Sequence, residues 1–168
     1  MKELILVDGY NALNAWPSLH SLRKTNFEHA RDKFLEILEE YAALRSIQMI
    51  VVFDAHLVRG GQERVEKKAH LTVVFTREHE TADRFIERWL GRRPLRTHVW
   101  VATGDGVEQA MALGKGACRM PIRELYTQVQ SSMVEKKQRL PRDLRDIRLD
   151  GRIEDSVRQK LEKMRRGG

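Results

Sequence analysis

Four short apolar runs separated by helical patterns predict an α/β fold built on a doubly wound, mainly parallel sheet. The runs cover residues 4–7, 49–53, 71–75 and 99–102, are rich in β-branched side chains and end at polar or turn residues. Unbroken apolar runs of this length mark strands covered on both faces, as strands in parallel sheets are. Strand alternating with helix implies right-handed crossovers. Such folds place their sites outside the carboxyl ends of the strands.

The helices follow from periodicity. Phe27, Ala30, Phe34, Ile37, Leu38 and Tyr41 recur at steps of three and four and predict a long amphipathic helix starting near Asn26. Ala82, Phe85, Ile86, Trp89 and Leu90 form a second apolar face, which Gly91 is expected to end. A third helix is expected over residues 106–113, closing at Gly114, and a fourth from Pro121 to about Lys137. Pro141 is expected to break the chain before a last, basic helix over residues 153–164. Residues 56–70, with Arg59-Gly60-Gly61 and a charged stretch, read as a surface loop and short helix.

The 168 residues suffice for one sizeable core, since a chain of that order buries roughly 70% of its unfolded surface. No apolar run approaches the ~20 residues of a membrane span, and no signal-type stretch precedes Asp8, so no membrane association and a cytoplasmic location are expected. Cys118 is the one cysteine, which excludes an intrachain disulfide and a cysteine-based zinc site and leaves a packed core thiol. The net charge of +7 points to a polyanionic partner. Residues 135–168 carry 12 Lys/Arg against 7 Asp/Glu, so most of the excess sits in that tail, although a merely solvated helix would show the same composition.

Three of the four strands run into an aspartate: Val7-Asp8-Gly9-Tyr10-Asn11, Val52-Phe53-Asp54-Ala55-His56 and Val101-Ala102-Thr103-Gly104-Asp105. After the third strand come Glu80 and Asp83, three apart and hence on one helical face. On parallel strands these acids converge on one sheet edge. Two unit charges about 4 Å apart repel by about 4 kcal/mol at an effective dielectric near 20, so such a cluster calls for a cation. Mg²⁺ or Mn²⁺ prefers carboxylate oxygens and can activate water against a phosphodiester. Taken singly, Asp105 reads as a helix cap, Asp54 as a turn former, and Asp83 as a surface partner of Arg84 or Arg88. Asp8 has no routine structural task on this reading, and Asn11 is expected to hydrogen-bond neighbouring loops or cap a short helix. His56 and His79 are read as completing loop hydrogen bonds. There is no nucleophile elbow and no P-loop.

These residues closely resemble the YacP-like branch of NYN-domain proteins in the PIN-like nuclease superfamily. The carrying motifs are Val7-Asp8-Gly9-Tyr10-Asn11 with Ala15-Trp16-Pro17, Val51-Val52-Phe53-Asp54-Ala55-His56, and Glu80-Thr81-Ala82-Asp83. Val101-Ala102-Thr103-Gly104-Asp105 with Glu108-Gln109, and Gly114-Lys115-Gly116-Ala117-Cys118-Arg119, complete the set, which spans residues 1–134. The resemblance implies a three-layer α/β/α sandwich, divalent-metal cleavage of phosphodiesters, and RNA as substrate. It makes Asp8, Asp83 and Asp105 the metal ligands, with Asp54 and Glu80 as supporting acids. One departure stands out: members usually carry Ser or Thr before the fourth-strand aspartate, where this chain has Gly104. Thr103 is the expected substitute hydroxyl.

The expected protein is thus a nuclease domain over residues 1–134 with a basic helical extension over 135–168. It is expected to be an Mg²⁺- or Mn²⁺-dependent endoribonuclease acting on single-stranded RNA, with mRNA on the ribosome as one setting. Asn11, Thr103 and Arg119 are the expected substrate contacts. The alternative is a non-catalytic RNA- or ribosome-binding module on the same fold. An aspartyl phosphotransferase is disfavoured, because the second aspartate of that chemistry would stand where Tyr10 is.

Overall fold

The computed structural model describes residues 2–104, 116–139, 163 and 165. In chain order its elements are β1 (Lys2–Asp8), α1 (Gly9–Ala15), a 3-10 turn (Pro17–Leu19), α2 (His20–Thr25), α3 (Phe27–Arg45), β2 (Gln48–Phe53), β3 (Arg64–Lys67), β4 (Leu71–Phe75), α4 (Ala82–Arg92), β5 (Thr97–Ala102), β6 (Cys118–Met120) and α5 (Ile122–Arg139). The chain divides into two units, Met1–Val129 and Gln130–Gly168, and the sheet lies wholly in the first.

The six strands run in the order β3-β4-β2-β1-β5-β6. All neighbours are parallel except β3 and β4. Because strand side chains alternate between faces, a strand buried on both must be apolar throughout. Leu6, Val52, Val74, Val99 and Val101 meet Ala82, Phe85, Ile86 and Leu90 of α4 on one face. On the other, Ile5, Val7, Met49, Val51, Phe53, Leu71 and Val73 are buried beside α1 and α3. There the Trp16 ring stands edge-on to Phe34 (5.1 Å) and to Tyr126 of α5 (5.0 Å). Burying each such side chain contributes about 1.5–3 kcal/mol. Helices therefore cover both faces, as the α/β/α reading requires.

The four expected strands form, each extended by no more than two residues at an end. β3 and β6 were not expected. β3 is Arg-Val-Glu-Lys with all four residues exposed, held as an edge by its antiparallel partner through a turn in which Lys68 N–H donates to Leu71 O (2.8 Å). The stretch read as loop and short helix thus contains a strand. β6 is only three residues long, and Cys118 within it is half-buried, not a packed core thiol. α3 begins as expected, with Asn26 Oδ1 accepting the His29 N–H (3.1 Å). α4 continues through Gly91 to Arg92 because that glycine lies on an exposed face where nothing approaches. The helices expected over 106–113 and 153–164, and Pro141, lie outside the described residues, although Lys163 and Arg165 are helical.

Candidate active site

Asp8 closes β1 and opens α1. Its Oδ1 accepts the Asn11 N–H (3.3 Å), making it the N-cap of that helix, a structural task not foreseen for it. The residue stays half-exposed at the strand end. Gly9 follows by necessity, since a Cβ there would lie 2.6 Å from the Phe53 ring. Asn11 turns back towards β5 and accepts the Gly104 N–H on Oδ1 (2.9 Å). Pairing of Val7 with Ala102 has already brought these strand ends level. A Cβ on Gly104 would stand 2.6 Å from that same Oδ1. The missing Ser or Thr is therefore coupled to the close approach of Asn11: a side chain at 104 would have to displace it.

Asp54 extends the neighbouring strand, where Asp8 is level with Val52. Its Oδ1 accepts the His56 N–H (3.0 Å) and also contacts His56 Nδ1. Its Oδ2 accepts the Ala82 N–H (3.4 Å), tethering the start of α4 to the end of β2. Thr81 caps α4 by accepting the Arg84 N–H (3.2 Å). Asp83, half-exposed in the first turn, gains from the positive end of the helix dipole.

Glu80 departs from the expected cluster. Its carboxylate is buried and receives Arg88 through Nε (3.2 Å) and Nη2 (2.9 Å), with Arg77 Nη2 at 3.5 Å. Arg88 also reaches Glu63 (2.8 Å), and the hydrogen bonding it donates to Glu80 is the main cause holding its guanidinium pKa above the ordinary value. Both Glu80 oxygens are thus committed to guanidinium. Thr103 needs a second correction: it is fully buried, so its hydroxyl has no face open to a polynucleotide. Arg119 stands exposed on edge strand β6. Asp105 lies outside the described residues, and among the described residues no three His, Cys, Asp or Glu side chains gather as a metal site.

A family model for the YacP-like NYN domain matches residues 5–166. The protein YacP of Bacillus subtilis (strain 168) is 38% identical over 169 residues, covering 98% of this chain and 98% of that one. The chain belongs to the YacP-like NYN domain family. The crystal structure of Rae1 (YacP) from Bacillus subtilis matches with a TM-score of 0.69 at 38% identity, over 98% of this chain and 95% of that chain. A single-substitution variant of the same protein matches at 0.67 and 35%, over 98% and 96%. The YacP-like NYN match runs well beyond residue 134, taking in most of the basic stretch that the motifs leave out.

Within this family member, Ala15-Trp16-Pro17 is a packing motif: Trp16 is fully buried and Pro17 starts the 3-10 turn. Two residues with site-like surroundings escaped sequence reasoning. Arg31 of α3 and Arg64 of β3 lie over aromatic rings at the carboxyl ends of β2 and β4. Among so many cations, neither has a local signature.

Proposed function

We propose that this YacP-like NYN protein is a metal-dependent endoribonuclease. The observation that carries the reading is the corner at which β1, β2 and β5 end. Asp8 caps α1, Asn11 locks α1 to Gly104 beside Asp105, and Asp54 tethers the helix that bears Asp83. Membership of a family in the PIN-like nuclease superfamily supports it, as do the net charge of +7 and the basic stretch after residue 134. The carboxylates of Asp8 and Asp83 are hard oxygen donors of the kind Mg²⁺ and Mn²⁺ take, and with Asp105 they would hold such an ion. When bound, the ion supplies Lewis-acid activation of water and neutralises charge on the phosphodiester. The reaction is in-line attack of water on phosphorus with departure of the RNA oxygen and no covalent enzyme intermediate. Arg119, exposed on edge strand β6, holds the backbone in place.

A non-catalytic RNA-binding module is the second reading, favoured by the structural employment of Asp54 and Glu80. Incubating single-stranded RNA with Mn²⁺ and either wild type or Asp8→Asn separates the two. Wild type is expected to cut. Asp8→Asn should fold normally, because Asn caps helices about as well as Asp. It should lose more than about 100-fold in rate, since even groups supporting a metal site are worth roughly 10–100-fold. Equal rates in the two proteins would remove Asp8 from the chemistry, and no cleavage by wild type would leave the binding module.

A further inference from the structure

Beside the acidic corner, on the α3 face of the sheet, lies a cleft of about 390 Å³ at the carboxyl ends of β2 and β4, within the range of roughly 300–1,000 Å³ for small-ligand sites. Its rim is laced from two loops. Ala55 N–H donates to Thr76 Oγ1 (2.8 Å) and His79 N–H to His56 O (2.9 Å). Glu78 N–H donates to Gly61 O (2.8 Å), and Gly60 N–H returns to Glu78 Oε2 (2.8 Å).

Two guanidiniums line this cleft. That of Arg31 is 5.3 Å from the Phe75 centroid and 5.8 Å from that of Phe53, and its Nη1 donates to the Tyr10 hydroxyl (3.4 Å). It is half-buried and makes no ion pair among the described residues. Arg64 lies 4.2 Å over Phe75 and pairs with Glu66 at 3.5 Å, both side chains more than half exposed. Such an exposed pair is weak and readily exchanged. Phe75, stacked on Phe53 at 5.4 Å, backs the cations and is not an open platform for a base. A planar guanidinium held over a ring keeps its in-plane fork of donors for a phosphate. The one carboxylate in the cleft, Asp54, is engaged by His56 and Ala82.

We propose that this cleft is a phosphate subsite for the backbone of single-stranded RNA, with Arg31 and Arg64 as its ligands. It rests on the ribonuclease reading and extends that site from β1 across β2 to β4, two strand spacings or about 10 Å. The test is binding of a labelled single-stranded oligoribonucleotide to the full chain in EDTA, titrated against salt, beside a Mn²⁺ cleavage assay of wild type. Methionine keeps an apolar stem against Phe75 and removes the charge. Arg31→Met should weaken binding roughly tenfold and lower the slope of log K against log salt by about 0.7, with Arg64→Met adding a similar decrement. Arg31→Lys should fall between, keeping charge without the fork, and melting curves of all variants should match wild type. Arg92→Met, at the far end of α4, should change neither affinity nor slope. Unchanged affinity and slope in the Arg31→Met/Arg64→Met protein, with wild type still cutting RNA, overturns the subsite and spares the nuclease reading. Displacement of the oligonucleotide by equimolar mononucleotide reassigns the cleft to a free nucleotide and also overturns it. Failure of wild type to bind RNA overturns both.

Discussion

Glu80, a buried acid just before α4, forms an ion pair with Arg88. Arg88 sits between Glu80 and Glu63 and over the Phe85 ring, so the pair fixes the approach to α4 from which Asp83 projects. Glu80→Gln removes the charge but keeps the shape. It should cost about 1.5–3 kcal/mol, the range for hydrogen bonds to charged groups. Mn²⁺ affinity and cleavage per folded molecule should stay within about twofold, since both carboxylate oxygens already face guanidinium. Thermal melting with a calorimetric metal titration checks both halves, and a large loss of metal affinity at unchanged stability would keep Glu80 as a supporting acid of the metal site. Residue type and spacing alone made Glu80 look like Asp83, because the sequence records that a carboxylate is present and not which cation reaches it. The converse applies to Arg31 and Arg64, which gain meaning only when Phe75 brings them to one cleft.

Between elements, the joint of α3 and α5 carries a titratable bond. Tyr41, 2% exposed, donates its hydroxyl to Gln128 Oε1 (3.1 Å). Burial raises its pKa above the ordinary 10.0, opposed by the Arg45 charge and helped by that of Glu3. With the folded value above the unfolded one, the protonated phenol stabilises the fold below about pH 10, and this contribution is lost as pH rises through the folded pKa. Tyr41→Phe should therefore cost about 1 kcal/mol at pH 7 and progressively less above pH 10. Urea denaturation of both proteins at pH 7 and pH 10.5 measures the gap, and a gap independent of pH would exclude Tyr41 as its source. Such elements are legible from sequence when burial imposes a pattern. α3 announces itself through its apolar period and the Asn26 cap, and the central strands through unbroken apolar runs. α2 buries no residue, β3 has one apolar residue among four, and β6 is too short to show any period.

Over the molecule as a whole, the shared edge of Asp8 and Asp54 was legible because parallel strands must end on the same side, so aspartates far apart in sequence come to neighbouring strand ends. The sheet that makes this edge also orders events in time. β3 and β4 join through residues 68–70, and their nearest partners, Lys67 and Thr72, are close neighbours in the chain. β2 meets β4 across a longer span, from Met49 to Leu71, and β1 meets β5 across nearly a hundred residues, from Lys2 to Thr97. Loop closure costs more as the intervening chain lengthens, and distant pairings form late. The hairpin bearing Arg64 and Phe75 should take shape in about 1–10 μs, before β1 is seated between its neighbours. Pulse-labelled hydrogen exchange during refolding should then protect the amides of β4 ahead of those of β1 and β5; simultaneous protection would mean the sheet closes in one step. On the hairpin-first course, the cleft wall is the older surface of the refolding chain, and the aspartate corner comes into being only when the last strand arrives.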